Sequence, residues 1–238
     1  MKRAIVTGAS SGMGRGLALL LAKAGFRVAI TGRRRELLDT LAVQYPEAFI
    51  VASFDVTEMQ DLYVRLDDLV QQLGGLDLFF LSAGGGDLNE DLNQETDQAM
   101  INLNITAFTA QVSWAFNLFR KQGHGHLAAI SSIAGLRGLR QSPGYHACKA
   151  YQINYLQGLQ QRVAHDVLNL TVTDIRPGFV ENPGAKGKGR FWEAPVEKAS
   201  LQIFNAVKAK KKIVYITKRW WLIGKLIPHV PGFIWRKL

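Results

Sequence analysis

The sequence holds one cysteine, Cys148, among 238 residues. A single thiol cannot form an internal disulfide or a cysteine-rich metal site, so the fold is expected to need no oxidation and to suit a reducing, cytoplasmic setting. Long apolar runs are also missing. Met1-Lys2-Arg3 is followed only by Ala4-Ile5-Val6-Thr7 before Gly8, too short for a signal-peptide core or a membrane span, which predicts a chain without a leader. Repeats and low-complexity stretches are absent. With 47% apolar and 20% charged residues, the composition is that of a globular protein rather than a disordered one. The last absence is local: no Asp or Glu follows Glu197, whereas residues 198–238 carry ten Lys and Arg. The formal charge of +10 therefore belongs to the C-terminal end, and residues 1–197 are formally neutral. A uniformly basic domain would point to nucleic acid; a neutral body with a basic end does not, and no nucleic-acid partner is expected.

What is present is alternation. Short β-branched or aromatic runs (Ala4-Ile5-Val6, Val28-Ala29-Ile30, Phe49-Ile50-Val51, Leu78-Phe79-Phe80-Leu81, residues 127–130, 170–175 and 213–216) are separated by stretches with helical spacing. Such stretches run between Gly8 and Gly25, through Leu62, Leu66, Leu69 and Leu73, from about Thr96 to Phe119 and from about Pro143 to His165. Strands that are apolar throughout are expected when helices cover both faces of a parallel sheet. The fold class is thus α/β, a single doubly wound, Rossmann-type parallel sheet over residues 1–217. Residues 218–238 form a basic-aromatic tail, part of the same domain or peripheral to it. Residues 182–194, rich in Gly and Lys, read as a mobile loop and a candidate lid.

Thr7-Gly8-Ala9-Ser10-Ser11-Gly12-Met13-Gly14 stands directly after the first strand and opens the first helix. Glycines there permit a tight turn and let backbone N–H groups approach a pyrophosphate, which the helix N-terminus stabilises. A ligand-free turn is the plainer reading, and the position at the head of a βαβ series weighs against it. The second strand ends Ile30-Thr31-Gly32-Arg33-Arg34-Arg35. A site that reads a ribose 2′-OH places a carboxylate here, and none is present. Arg33, with Arg34 in support, offers a charge-assisted pairing with a 2′-phosphate; the alternative is a solvated charge run at a helix start.

Tyr145-His146-Ala147-Cys148-Lys149 is the most informative segment. Ser142 and Pro143 read as an N-cap and first helical residue, which places Tyr145 and Lys149 at i and i+4 on one helix face. Reduction of a carbonyl needs a proton for the nascent alkoxide, and a free phenol with pKa of about 10 is a poor base at neutral pH. A neighbouring ammonium is expected to favour the phenolate and lower that pKa. Such a pair alone often merely decorates a helix. Ser132, thirteen residues before Tyr145, and Asn104, in Asn102-Leu103-Asn104-Ile105-Thr106, supply the context.

With these residues together the chain resembles the short-chain dehydrogenase/reductase family, whose N-terminal fingerprint is T-G-x-x-x-G-x-G. The resemblance covers almost the whole chain and implies a role for each position. Gly8, Ser10, Ser11, Gly12, Met13 and Gly14 would cradle the pyrophosphate, Arg33 and Arg34 the 2′-phosphate, and Asp55 and Val56 the adenine. Ser82-Ala83-Gly84 stands where the family has Asn-Ala-Gly; Ala83 and Gly84 would line the cofactor, while Ser82 weakens a sheet-stabilising hydrogen bond. Ser132 would donate to the substrate oxygen, Tyr145 would act as acid/base, and Lys149 would hold its pKa down and orient the ribose. Asn104 would support a water that relays protons through the lysine. Ser132 is preferred to Ser131 for its spacing to Tyr145, and Asn104 to Asn102 because Asn-Ile-Thr resembles the family's Asn-Leu-Thr. Pro177, Gly178 and Val180 resemble P-G-x-x-x-T, which meets the nicotinamide carboxamide. Asn182 replaces the threonine; its amide can both donate and accept, or Asn182-Pro183 simply ends the loop.

The implied activity is an NADP(H)-dependent hydride transfer between nicotinamide and a carbonyl or secondary alcohol, run as reduction of an uncharged or lipophilic small molecule. The alternatives are a redox step on a lipid-linked sugar or other membrane-partitioning substrate and, from another class, an NADP(H)-binding regulatory module without turnover. Phe191 and Trp192 are expected to line the substrate loop. A homodimer or homotetramer through the long helices is expected by resemblance. His124, His126 and His146 have no cysteine or carboxylate at a ligating spacing, so no metal is predicted. In the tail, Lys225, Pro228 and Pro231 exclude a spanning helix. Trp220, Trp221 and Trp235 among Lys and Arg fit either packing over the pocket or a subunit interface, or peripheral contact with the inner face of a membrane.

Overall fold

The computed structural model describes residues 1–181 and 191–237. Its strands are β1 (Arg3–Thr7), β2 (Arg27–Gly32), β3 (Phe49–Ser53), β4 (Leu78–Leu81), β5 (Gly125–Ile130), β6 (Leu170–Pro177) and β7 (Ile213–Ile216). They pair in parallel as one seven-stranded sheet in the order β3-β2-β1-β4-β5-β6-β7. The chain starts in the middle, runs outward to β3, then crosses back to β4 beside β1. That reversal opens a crevice outside the carboxyl ends of β1 and β4, where ligands bind in open α/β sheets.

The helices are α1 (Gly12–Lys23), α2 (Arg35–Ala42), α3 (Leu62–Leu73), α4 (Gln94–Ile101), α5 (Phe108–Gln122), α6 (Pro143–His165), α7 (Val196–Lys208), α8 (Trp220–Leu226) and α9 (Gly232–Trp235). Neighbouring strand residues point to opposite faces, so Phe79 enters one core and Phe80 the other. The first core joins Phe79 to Leu62, Leu66, Leu69 and Leu73 of α3 and Phe108, Phe116 and Phe119 of α5. The second holds Leu17 and Leu21 of α1, Leu38 and Leu41 of α2, and Ile203 of α7. Each such side chain, fully buried, contributes about 1.5–3 kcal/mol, which is why the 3.6-residue spacing of these leucines dictates the helices.

The stretch expected as one helix from Thr96 to Phe119 is three pieces. α4 gives way to a π-helical turn, Asn102–Ala107, before α5 begins. The wider turn carries Asn104 inward, fully buried, where Nδ2 donates to the carbonyls of Met100 (3.0 Å) and Gly85 (2.8 Å). Ser142 precedes α6 as expected but caps nothing; its hydroxyl donates to the Asp87 carbonyl at 2.7 Å. Among the described residues no helix is long and apolar enough to cross a membrane.

Candidate active site

The register Thr7↔Thr31 and Thr7↔Leu81 brings the glycine turn, the end of β2 and the end of β4 to one edge. Gly8 has φ of +73°, and a side chain there would collide with the backbone of Ser82 and Ala83. The Ser82 N–H donates to the Thr7 carbonyl at 3.0 Å. α1 starts here with no side-chain cap and no acid in its first turn, so its N–H groups and positive dipole end are available to an anion.

The two arginines lie in different surroundings. Arg34 Nη2 donates to Ser10 Oγ (2.9 Å) and Ser11 Oγ (2.8 Å), and so lies on the turn. Arg33 is 76% exposed and pairs loosely with Asp55, Nη1 to Oδ2 3.5 Å. Its direction follows from the strand: Gly32 faces Ser10, so the residue before α2 curls back while its neighbour points outward. Burial raises the Asp55 carboxyl, but N–H and hydroxyl bonds from Thr57 (2.9 and 2.8 Å) and the Arg33 charge hold it below its ordinary value. Val56 is buried beside it. An uncapped helix start, serine hydroxyls and two arginines fit the phosphates of a dinucleotide.

The second cluster sits where β5 and β6 end. Ser132 follows β5, and Tyr145 and Lys149 come from the first turns of α6. The Ser132 hydroxyl lies beside the Tyr145 phenol and acts on its proton affinity, and Ser132 Oγ accepts from the Ala134 N–H at 3.1 Å. Lys149 Nζ donates to Gln152 Oε1 (2.9 Å) and to the Ile130 carbonyl (3.4 Å), and lies 5.7 Å from the Tyr145 ring centre. Gln152 Nε2 in turn donates to the Asn104 carbonyl at 2.8 Å. Gly84 packs against this group; a Cβ there would stand 3.3 Å from Asn104 Oδ1 and 3.5 Å from Lys149 Nζ. The predicted Asn104, Ser132, Tyr145 and Lys149 thus converge. Gln152 was not predicted. Its signal was a long polar side chain three residues after Lys149, on the face that also buries Cys148, Ile153 and Leu156.

Burial sets the proton affinities. It pushes the Tyr145 phenol above its ordinary value, the Ser132 hydroxyl pulls it down, and the nearby Cys148 thiol adds to the rise. Lys149 faces the ring and Gln152, and its ammonium is not among the causes that set the phenol in the protein alone. Burial brings the Lys149 ammonium down to about 8, against the influence of Cys148 and Asp174. Asp174 is itself fully buried, raised by burial and held by Arg176 Nε at 2.6 Å. The Ser131 hydroxyl is committed to that carboxylate, and Asn102 accepts from Gln98 Nε2 on the exposed side (2.9 Å), so neither replaces its neighbour in the cluster.

Pro177 ends β6 and its carbonyl lies 3.5 Å from Ser132 Oγ. The Gly178 N–H donates to the Ile216 carbonyl at 2.6 Å, and Trp220 covers Gly178 so closely that no side chain would fit. Val180 bridges Ala194. Phe191 and Trp192 gather with Phe179 and Trp220, ring centres 5.2–5.9 Å apart, and form an aromatic rim beside Pro177 and Gly178. Asn182 and most of the candidate lid lie outside the described residues. Among the described residues no three His, Cys, Asp or Glu converge. His124 lies near Asp77, His126 bonds Thr173, and His146 bonds the carbonyls of Ala134 and Arg137.

The family model described as short chain dehydrogenase matches residues 2–191. The chain belongs to the short-chain dehydrogenase family. This short-chain dehydrogenase is 38% identical over 186 residues to an uncharacterized oxidoreductase of Myxococcus xanthus, covering 76% of this chain and 73% of that one. It is 35% identical over 185 residues to an uncharacterized oxidoreductase of Staphylococcus aureus, covering 76% and 78%. In three dimensions it is similar to a short-chain dehydrogenase from Streptomyces avermitilis (25% identity, TM-score 0.83, 95% and 94% covered). A short-chain dehydrogenase/reductase from Burkholderia phymatum, solved in complex with NAD, shares the fold at 16% identity and TM-score 0.83 over 94% and 92% of the chains. The chain is thus an oxidoreductase of a family that uses a nicotinamide cofactor and small-molecule substrates.

Proposed function

We propose that this short-chain dehydrogenase is an NADP(H)-dependent reductase of uncharged, lipophilic ketones or aldehydes, with Tyr145 as proton donor. The observation that carries the reading is the gathering of Ser132 and Tyr145 with Lys149, whose ammonium is tied through Gln152 to Asn104. When bound, the nicotinamide supplies the hydride. The Ser132 hydroxyl donates to the substrate oxygen, and Tyr145 gives that oxygen its proton as the carbonyl becomes an alcohol. The phenolate left behind is stabilised by the Ser132 hydroxyl, with the Lys149 ammonium 5.7 Å from the ring centre. The phenol is protonated at neutral pH, the form that reduction requires.

The preference for NADP(H) is supported by the missing carboxylate at the end of β2 and by Arg34, already held on Ser10 and Ser11, with Arg33 beside it. The substrate class is supported by the rim of Phe179, Phe191, Trp192 and Trp220. Purified protein assayed with NADPH and NADH against ketones, aldehydes, steroids and keto-sugars tests all three parts. Turnover with NADPH on lipophilic carbonyls is expected. Equal binding of both cofactors by titration would reject the cofactor preference, and turnover confined to keto-sugars would reject the substrate class.

A further inference from the structure

The tail divides its aromatics between two faces. Trp220 is 2% exposed and fills the space over Gly178, and Trp235 is anchored by Nε1 on the Gly138 carbonyl (2.9 Å) and by the Arg137 guanidinium 4.6 Å from its ring. Arg137 also donates to the carbonyls of Ile227 and Val230, so the segment is pinned to the loop that follows Ser132. Its other face is bare. Trp221, Leu222 and Leu226 are each more than half exposed, at positions i, i+1 and i+5 of α8, and Phe233 and Ile234 of α9 are exposed at 65% and 43%. Lys218, Arg219, Lys225, Arg236 and Lys237, all exposed, lie among them, and no acidic residue follows Glu197.

We infer that this outer face of the tail docks on an anionic lipid surface. Exposed apolar side chains at this density mark an interaction site rather than ordinary surface, and their chemistry selects the partner. Nucleic acid would use the cations and the tryptophan but gains nothing from Leu222, Leu226 and Ile234. A second copy of the chain, set face to face about a twofold axis, would place five cations against the same five. A bilayer with negative headgroups accepts both halves: the cations meet the headgroups while Trp221, Leu222, Leu226 and Phe233 enter the boundary below them. The docking goes beyond the proposed reaction and needs no cofactor. It also brings lipid to the segment whose inner face, through Trp220, adjoins Gly178 and the aromatic rim, so a substrate dissolved in the bilayer reaches the rim directly. The matched family region stops at residue 191, before the tail begins.

Cosedimentation of the full chain with vesicles tests this without turnover, so its outcome is independent of whether the proposed reaction is right. Phosphatidylcholine vesicles are compared with phosphatidylcholine mixed with phosphatidylglycerol, at low and high salt. The wild type should bind the mixed vesicles at low salt and lose about tenfold or more in partitioning at high salt. The triple variant Lys218→Gln/Lys225→Gln/Lys237→Gln should lose a similar factor at low salt. The variant Trp221→Ser/Leu222→Ser/Leu226→Ser should bind more weakly at both salts, with an unchanged circular dichroism spectrum because none of the three side chains is buried. No binding to mixed vesicles at low salt would overturn the inference, as would equal binding to neutral and anionic vesicles. A serine variant that sediments with vesicles like the wild type but changes its oligomeric state by ultracentrifugation would assign the face to a second copy instead.

Discussion

The two ends of the crevice are built from different physical materials. At the β1–β2–β3 end the charged groups face water: Arg33 is 76% exposed, and its pairing with Asp55 is a loose 3.5 Å contact of the kind that contributes little by itself. At the β5–β6 end the polar groups are buried and joined to one another: Lys149, Gln152 and Asn104 are each at most 3% exposed, and Tyr145 lies beside Ser132. Exposed charges are free to hold an anion. Buried ones are shifted by desolvation, and that shift is what suits them to proton transfer. Mutations at Arg33 and Arg34 are therefore expected to act on binding and a mutation at Tyr145 on chemistry.

The largest effect is expected at Tyr145. Tyr145→Phe should cut turnover by about 10²-fold or more while leaving NADPH affinity intact, because only the proton donor is removed. Near-normal turnover by this variant would break the division between the two ends.

Gln152 comes next. Gln152→Leu removes the acceptor at Lys149 Nζ and the donor at the Asn104 carbonyl, each a buried partner whose loss costs about 1–3 kcal/mol, so a drop of about tenfold or more in kcat is expected. A pH profile separates positioning from mere loss of structure. Burial holds Lys149 near 8, so its ammonium is present below that pH and lost above it, and reduction should decline as pH rises through about 8. Gln152→Glu places a carboxylate beside the ammonium, favours the charged form and should move that decline to higher pH. A profile identical in wild type and Gln152→Glu would show that Gln152 does not act through Lys149.

The smallest effects belong to the exposed end. Arg34→Ala and Arg33→Ala should each raise the NADPH dissociation constant by about tenfold, from loss of a charge-assisted contact of about 1.5–3 kcal/mol. NADH binding and kcat should scarcely change. Of the two, Arg34→Ala is expected to cost more, since Ser10 and Ser11 already hold that guanidinium on the turn. A fall in kcat with unchanged affinity would sharpen the comparison in the opposite sense, by coupling the turn to the chemistry.

Strand positions, the glycine turn after β1 and the Tyr145–Lys149 pair were legible because each depends on residues close together in the chain: apolar runs, a turn chemistry, an i, i+4 spacing. The same locality explains what could be read only in part. One periodic stretch from Thr96 to Phe119 looks like a single helix, because apolar spacing does not reveal that Asn104 will satisfy its amide on Gly85 and Met100 by widening one turn. Ser142 has the sequence of a cap, yet Asp87, 55 residues away along the chain, takes its hydroxyl.

By itself the sequence determined the doubly wound parallel architecture and which side chains of the fingerprint are present, since both follow from spacing and residue type. Only the tertiary structure decided which polar groups face each other: Arg34 rather than Arg33 on the turn, Gln152 between Lys149 and Asn104, Ser131 given to Asp174 and Ser132 to Tyr145, and one face of the tail buried while the other is bare. Those pairings join distant parts of the chain, and the phenol is raised because burial, a property of the whole packed domain, outweighs the lowering by Ser132.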